Sequence, residues 1–257
     1  MKALNDRDQI NKRAVDADCL HQRILKNTEY QKINLVEWIF ERLHLDPGSR
    51  VLELCSGTGN QTLRMIELVG TKGFVVATDI SEDALRQLRE KVDKKLSGCF
   101  TTVAASMDEL QNALEKSGLE KHRFDMVFCA YGLYYSTNAE QVLEDNLYRL
   151  KNDGRMVVVG PFGPNNDPLF KVLEESVVVP FACRRFTRNT IHTLVNPVEW
   201  KSPDDVIQYW RNTTFFDEKK LDTVQRNVQE HFERNDNFIN EKWVMMIVMG
   251  GKRVANL

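Results

Sequence analysis

Val51-Leu-Glu-Leu-Cys-Ser-Gly-Thr-Gly-Asn60 is a short apolar run that leads into two closely spaced glycines. An apolar run of this length predicts a buried strand, and the glycines predict a tight turn into the helix that follows. In an open parallel sheet, ligands bind beyond the carboxyl ends of the strands. Because glycine has no Cβ, Gly57 and Gly59 let the backbone approach a ligand closely. We therefore expect a ligand-binding loop here.

Asp79 ends the next apolar run, Phe74-Val-Val-Ala-Thr-Asp79. A carboxylate at this strand end is placed to accept hydrogen bonds from both hydroxyls of a ribose. The glycine loop and Asp79 fit NAD-dependent enzymes as well as methyltransferases. Glu53 separates the two interpretations, because an acid inside an apolar strand needs a cationic partner and would repel a pyrophosphate. The pattern favours a nucleoside ligand that carries a cationic amino group.

Apolar and amphipathic runs alternate regularly up to Gly160, which predicts a mostly parallel α/β sheet with helices on both faces. Ser81 is a good N-cap for the helix after Asp79, and Asn152-Asp-Gly154 reads as a turn. The predicted strands are 50–54, 74–78, 100–105, 124–130 and 155–159, and the predicted helices are 17–44, 61–69, 81–96, 107–116 and 139–150.

The alternation stops beyond Gly160, where a turn-rich loop covers 160–168. After it we predict a helix near 169–178, a strand near 191–200, helices at 203–211 and 217–233, and a closing strand at 241–249. We interpret the chain as a single domain, 1–257. Its predicted parts are an N-terminal helical segment (1–45), a cofactor-binding core (46–163), substrate-facing additions (164–240) and a closing strand (241–257).

Net charge, apolar runs and cysteine positions argue against several classes of function. The formal net charge of −2 argues against a chain that coats nucleic acid or an anionic membrane. The N-terminus has charged residues from the start and no signal-like apolar stretch, and the longest apolar run, 243–249, is too short to span a bilayer. The chain has five cysteines, Cys19, Cys55, Cys99, Cys129 and Cys183, which are scattered and form no C-x-x-C pair. This pattern is typical of reduced thiols in the cytoplasm, and it predicts no metal site.

The glycine loop resembles motif I of the class I S-adenosylmethionine-dependent methyltransferases, which reads apolar-apolar-acid-apolar-Gly-x-Gly-x-Gly. Cys55 stands where the family has its first glycine and is small enough to leave the loop intact. Asp79 matches the family's ribose-binding acid. Phe124-Asp-Met-Val-Phe-Cys-Ala-Tyr-Gly-Leu-Tyr-Tyr135 resembles the fourth motif. The resemblance covers roughly residues 45–162, and it implies a Rossmann-like fold and S-adenosyl-L-methionine as the cofactor.

The resemblance also assigns roles to residues after the third and fourth strands. Ala105-Ser106-Met107-Asp108 falls where the family brackets the adenine. Ser106 replaces the usual acid there, so Asp108 is the alternative polar contact. Ala130 passes beneath the methionine part of the cofactor. The implied cofactor-binding residues are Glu53, Cys55, Gly57, Thr58, Gly59, Asn60, Asp79, Ile80, Ser106, Met107, Asp108 and Ala130.

Methyl transfer is an in-line displacement, so the enzyme must hold the acceptor, the methyl carbon and the sulfur in line. The resemblance places Tyr131, Tyr134 and Tyr135 near the transferring methyl. Tyr131 is a candidate substrate contact, and a phenol of the following pair could orient the acceptor or face the sulfonium by a cation–π contact. The alternative is that Tyr134 and Tyr135 only pack.

Three residues of the predicted additions are further candidates. His192 could act as a general base, or it has a structural role. Arg184 and Arg185 could bind a carboxylate or phosphate of the substrate, or they belong to a solvated face.

Three functions fit these observations. We expect transfer of a methyl group to an oxygen or nitrogen of a small molecule. An RNA- or DNA-modifying methyltransferase is the second, but amino-methylating members carry Asn/Asp-Pro-Pro-aromatic where this chain has Cys129-Ala-Tyr-Gly132. A non-catalytic cofactor-binding partner subunit is the third.

Overall fold

The computed structural model describes residues 16–162, 177–213 and 216–254. Nine helices and seven strands lie within these ranges. The helices are α1 (Ala17–Tyr30), α2 (Leu35–Arg42), α3 (Thr62–Val69), α4 (Glu82–Lys91), α5 (Leu110–Lys116), α6 (Ala139–Leu147), α7 (Val179–Arg185), α8 (Pro203–Arg211) and α9 (Leu221–Phe232). The strands are β1 (Arg50–Leu54), β2 (Phe74–Asp79), β3 (Phe100–Ala104), β4 (Phe124–Ala130), β5 (Leu150–Pro161), β6 (Phe186–Trp200) and β7 (Phe238–Arg253).

The seven strands form one sheet in the order β3-β2-β1-β4-β5-β7-β6. The first five strands pair in parallel, and β7 pairs antiparallel with β5. The mostly parallel Rossmann-like fold is therefore confirmed. The strand order reverses between β1 and β4, which places the carboxyl ends of these two strands at the point where α/β sheets bind ligands.

The chain divides into two compact units. The larger unit takes in the described residues of 36–194 and 243–257, and the smaller one those of 1–35 and 195–242. In the larger unit, β1 and β4 are buried along almost their whole length and β5 is buried over residues 156–161. Helices α5 and α6 contribute to the same apolar core. The smaller unit has its own core, centred on Trp200 and Val206 and covered by apolar side chains of α8 and α9. The prediction of a single domain stays a prediction.

Several predicted boundaries are wrong for local reasons. The predicted turn at Asn152–Gly154 lies inside β5, where the pairing register with β4 shifts. The helix expected over 17–44 is interrupted between Tyr30 and Leu35, because Gln31 is extended. The helix after Ser81, which is capped by that side chain, ends at Lys91 and is followed by a 3-10 helix over Lys94–Cys99.

The largest differences lie after Phe162. Helix α7 was not predicted, and β6 begins at Phe186 instead of near residue 191. The first residues of β6 are polar and exposed, so they lack the apolar pattern of a buried strand. The loop predicted over 160–168 and the helix over 169–178 fall mostly outside the described residues.

Candidate functional site

The loop after β1 has an unusual backbone. Cys55, Gly57 and Gly59 all adopt positive φ angles, of 58°, 52° and 91°. A Cβ on Gly59 would lie 2.2 Å from Cδ1 of Leu88 on α4, so only glycine fits between the loop and that helix. The loop is closed by a hydrogen bond from the Gly59 amide to the Ser56 carbonyl oxygen, at 3.0 Å. Its backbone is thus held at the carboxyl end of β1.

Glu53 lies just before this loop and is 1% exposed. Its Oε2 accepts a hydrogen bond from Thr62 Oγ1 at 2.5 Å. Burial raises the pKa of Glu53 to about 8; the bond from Thr62 opposes the rise and the charge of Asp79 adds to it. At neutral pH the carboxyl therefore holds a proton, and a cation placed beside it would favour the ionised form.

Asp79 connects β2 to the same loop. Its Oδ2 accepts a hydrogen bond from the Gly57 amide at 2.8 Å, and its Oδ1 accepts one from the Ser81 amide at 2.9 Å. Burial raises the pKa of Asp79, and the backbone hydrogen bonds oppose that rise. The side chain of the next residue, Ile80, is 60% exposed and offers an open apolar surface beside this carboxylate.

The segment after β3 reaches this edge as well. The Ala105 amide donates to the Asp79 carbonyl oxygen at 2.9 Å. The Ser106 hydroxyl accepts a hydrogen bond from the Asp108 amide at 3.3 Å, and Met107 packs against the core of the larger unit.

The carboxylate of Asp108 already has partners in the turn after β4. It accepts a hydrogen bond from Ser136 Oγ at 2.5 Å and two from Thr137, through the amide and Oγ1, each at 3.0 Å. Burial acts to raise the pKa of Asp108, but these hydrogen bonds outweigh it and hold the pKa below its ordinary value. Asp108 thus links the segment after β3 to the turn that carries the tyrosine pair.

The end of β4 has a second strained residue. Tyr131 follows Ala130 and has a φ of 54°; it and Cys55 are the only non-glycine residues with positive φ in the described ranges. Strained backbone of this kind clusters at functional sites. The rings of Tyr134 and Tyr135 follow, with centroids 4.7 Å apart and planes inclined at 57°.

The structure brings together most of the residues that the resemblance implied. Because β1 to β4 run parallel, the residues that follow these strands lie at one edge of the sheet. They include Thr58, which is buried and whose carbonyl oxygen accepts a hydrogen bond from Lys91 Nζ, and Asn60, which is half-buried. The predicted adenine, ribose and methionine contacts are thus close to one another.

Sequence reasoning missed Ser56 and Gly132. Ser56 is buried, and its Oγ has no hydrogen-bond partner within the residues that the structure describes. Gly132 packs directly on Cys55. The position of Ser56 between Cys55 and Gly57 is a signal that could have pointed to it, whereas Gly132 becomes informative only when β1 and β4 are known to be neighbours.

His192 is not brought to this edge. It lines a cavity with Ser49 and Asp125, which stand at the amino ends of β1 and β4. The opposite end of the sheet holds the glycine loop, so the structure gives His192 no role beside it.

The two predicted substrate arginines have protein partners on α6. Arg184 forms an ion pair with Glu140, and Arg185 forms one with Glu144 at 3.1 Å. Arg185 is also buried, with 5% of its surface exposed. These contacts link α7 to α6, which is a structural role for the two arginines.

A metal-binding cluster and a membrane-spanning helix are both absent from the described ranges. No group of three or more His, Cys, Asp or Glu side chains there could hold a metal ion. No helix in those ranges is both long and apolar enough to cross a membrane.

Comparison with known proteins adds sequence relatives. A family profile described as a methyltransferase domain matches residues 45–180. Ubiquinone/menaquinone biosynthesis C-methyltransferase UbiE of Ectopseudomonas mendocina is 34% identical over 128 residues, which are 50% of this chain and 48% of that protein. The protein of the same name from Yersinia enterocolitica is 35% identical over 128 residues, with 49% and 48% covered. The chain thus matches about half the length of these curated relatives.

Solved structures support the fold. The YcgJ protein from Bacillus subtilis superimposes with a TM-score of 0.57 at 13% identity, covering 86% of this chain and 98% of that one. A SAM-dependent O-methyltransferase from Thermotoga maritima gives a TM-score of 0.51 at 12% identity, with 86% and 66% covered. The family profile spans more than half of the chain and includes the strained loops after β1 and β4. The chain therefore belongs to the methyltransferase-domain family.

Proposed function

We propose that this chain is an enzyme that depends on S-adenosylmethionine and transfers a methyl group to a small molecule. The observation that carries the proposal is the turn after β4, where Gly132 packs on Cys55 of the cofactor-side loop and the Tyr134 and Tyr135 rings follow at once. Two phenol side chains therefore follow closely after a residue that packs on the glycine loop. A phosphate-binding surface for nucleic acid would instead need basic side chains.

We propose that the strand ends hold the cofactor through three kinds of contact. Glu53, together with the unpartnered Ser56 hydroxyl, would bind the amino-acid part, because one group favours a cation and the other lacks a protein partner. Asp79 would accept hydrogen bonds from the ribose hydroxyls. The exposed side chain of Ile80 and the partly buried Met107 would supply apolar contacts to the adenine.

The main task of the chain's own residues is then to align the acceptor with the methyl group. When bound, S-adenosylmethionine supplies a methyl group on an activated sulfur leaving group. The fixed loops after β1 and β4 hold the two sides of the reaction at one edge of the sheet, which favours an in-line approach. Tyr134 or Tyr135 would orient the acceptor by a hydrogen bond or by its ring face.

The choice of acceptor atom remains a proposal. From the sequence we expected oxygen or nitrogen. The relatives in ubiquinone and menaquinone biosynthesis are named C-methyltransferases, and this favours a ring carbon of a phenol or quinol as a second candidate. We further propose that the acceptor is selected by residues within 164–240, because the cofactor contacts proposed above all precede Gly160.

A methylation screen tests the proposal. The purified protein would be given methyl-labelled cofactor with separate pools of phenols, amines, quinols and unmodified RNA, and products would be identified by mass spectrometry. We expect label in a small-molecule pool, with less label when Asp79→Ala replaces the wild type at a limiting cofactor concentration. Label in RNA alone would overturn the small-molecule assignment. The mass spectrum of a labelled product would separate O-, N- and C-methylation.

A further inference from the structure

The larger unit contains a cavity that is separate from the proposed cofactor site. Its volume is about 610 Å³, which is within the range of small-molecule sites. It lies at the amino ends of the parallel strands, beside Ser49 and Asp125. The cofactor loop occupies the carboxyl ends, so the proposed function leaves this cavity without a role.

Three neighbouring strands build the cavity floor. Arg188, Thr190 and His192 line it from β6 at alternate positions, as expected for side chains on one face of a strand. Arg155 lines it from β5, and Gly250 lines it from β7, the strand between the other two.

Two glycines of β7 each lie close to one of the two arginines. A Cβ on Gly250 would lie 3.8 Å from Cβ of Arg155, and a Cβ on Gly251 would lie 3.3 Å from Cβ of Arg188. The two arginines therefore flank β7 from opposite sides. With glycine at both positions, no β7 side chain separates them.

Two of the three acids of the cavity wall have protein partners, one of which, His44, lines the same cavity. Asp125 accepts hydrogen bonds from Lys151 Nζ at 2.8 Å and from the Arg50 amide at 2.8 Å. Asp46 pairs with His44 at 3.1 Å. This leaves Asp153 as the third acid of the lining.

The two flanking arginines have no such partner. Within the described ranges, neither Arg155 nor Arg188 has a hydrogen bond or ion pair with a carboxylate. Burial lowers the pKa of Arg155, and the more distant charges of Asp46 and Asp125 oppose that change. Arg155 is half-buried and Arg188 is exposed. A partly desolvated guanidinium without a carboxylate partner is stabilised by an anion, so the site favours a negatively charged ligand.

We propose that this cavity binds a small anion that carries a phosphate group. Guanidinium groups bind phosphate oxygens in pairs of parallel hydrogen bonds. Two arginines on either side of the β7 glycines, with Thr190 and His192 lining the same cavity, match that chemistry. The ligand would be inorganic phosphate or a small phosphomonoester.

Thermal unfolding and calorimetry with two probes test this site. Inorganic phosphate and glycerol phosphate would be titrated into wild-type protein, with sodium chloride at matched ionic strength as the reference. We expect at least one probe to raise the Tm above the chloride reference. A larger rise with inorganic phosphate indicates that the ligand is the free anion, and a larger rise with glycerol phosphate indicates a phosphomonoester. Arg188→Gln and Arg155→Gln should each weaken binding by about tenfold or more.

Arg86→Gln is the matched control, because Arg86 is an exposed arginine on α4 that pairs with Asp83 and Glu90 outside the cavity. It should bind phosphate like the wild type. S-adenosylmethionine affinity should be unchanged in Arg188→Gln, which also shows that the variant is folded. The proposal is overturned if neither probe exceeds the chloride reference, or if Arg155→Gln and Arg188→Gln both bind phosphate as the wild type does.

Discussion

A Cβ atom added at Gly132 would lie 2.3 Å from Cβ and 2.6 Å from Sγ of Cys55. The turn after β4 thus packs against the loop after β1 without room for a methyl group. Cys55 cannot move away easily, because its φ of 58° is already in a strained region for a residue with a side chain. Each loop therefore holds the other in place at the ligand-binding edge of the sheet.

Gly132→Ala should destabilise the protein. Overpacking of this kind costs about 1–3 kcal/mol, which urea unfolding would measure. Gly98→Ala is the control, because a Cβ at Gly98 meets nothing within 4 Å.

The double variant Cys55→Gly, Gly132→Ala tests whether the contact itself is responsible. Glycine at position 55 removes both the clashing atoms and the strain, so the double variant should be more stable than Gly132→Ala alone. Equal losses in the single and double variants would contradict this explanation.

Glu53 should make stability depend on pH. Its pKa is about 8 in the folded protein, compared with an ordinary pKa of 4.5 for a solvated glutamate. Between these values the folded state keeps a proton that the unfolded state releases, so the free energy of unfolding falls as pH rises. The slope for one proton is at most about 1.4 kcal/mol per pH unit. The contribution is fully present below pH 4.5 and is lost once the pH passes about 8.

Glu53→Gln should remove this dependence, and urea unfolding across that pH range would measure it. Glu67→Gln, an exposed substitution on α3, should keep the wild-type profile. If wild type and Glu53→Gln have parallel profiles, the carboxyl is not protonated in the folded protein. Cofactor binding should also release a proton below pH 8, which calorimetry in two buffers with different ionisation enthalpies would detect.

Asp79 should be required for cofactor affinity. Asp79→Ala leaves the Gly57 amide without its acceptor and removes the proposed ribose contact. We expect a loss of about 1–3 kcal/mol of binding free energy in calorimetry with S-adenosylmethionine. Asp83→Asn, a change in the first turn of α4 at the protein surface, should bind like wild type. Wild-type affinity in Asp79→Ala would remove Asp79 from the proposed site.

The sequence predicted the parallel core well because its signals are local. The run Val51–Asn60 combines a buried strand with a glycine turn, and Asp79 ends the next strand, so both could be placed at the carboxyl edge without knowledge of the remaining chain. The Asp108 contacts with Ser136 and Thr137 could not be predicted, because they join segments that follow different strands.

The position of His192 shows the opposite case. Its location depends on the direction and length of β6, an edge strand whose first residues, Thr187 to Thr190, are polar and exposed. No periodic pattern fixes where such a strand begins. The sequence therefore identified a histidine of interest but could not show which end of the sheet it occupies.

Asp108 should act on turnover through the turn that it holds. Asp108→Ala removes the acceptor for Ser136 and Thr137, and the tyrosine pair directly before them loses its support. We expect the rate of methyl transfer to fall by up to about a hundredfold, with cofactor affinity close to wild type. Ser136→Ala removes one of these bonds and should have a smaller effect in the same direction. If Asp108→Ala mainly weakens cofactor binding, Asp108 contacts the adenine instead.

Substitutions of Tyr134 and Tyr135 should distinguish two roles in methyl transfer, a hydrogen bond from the phenol and a contact through the ring face. If a phenol orients the acceptor, the Phe variant at that position should lower the single-turnover rate by about tenfold to a hundredfold, since one such hydrogen bond is worth roughly 1–3 kcal/mol. If the ring face is what acts, Phe should be tolerated and Leu should reduce the rate. Cofactor affinity should stay at the wild-type value in Tyr134→Phe and Tyr135→Phe, because neither phenol belongs to the proposed cofactor contacts. Wild-type rates in all four Phe and Leu variants would show that Tyr134 and Tyr135 only pack against each other, at their 4.7 Å centroid distance, and that the strand ends achieve methyl transfer by alignment alone.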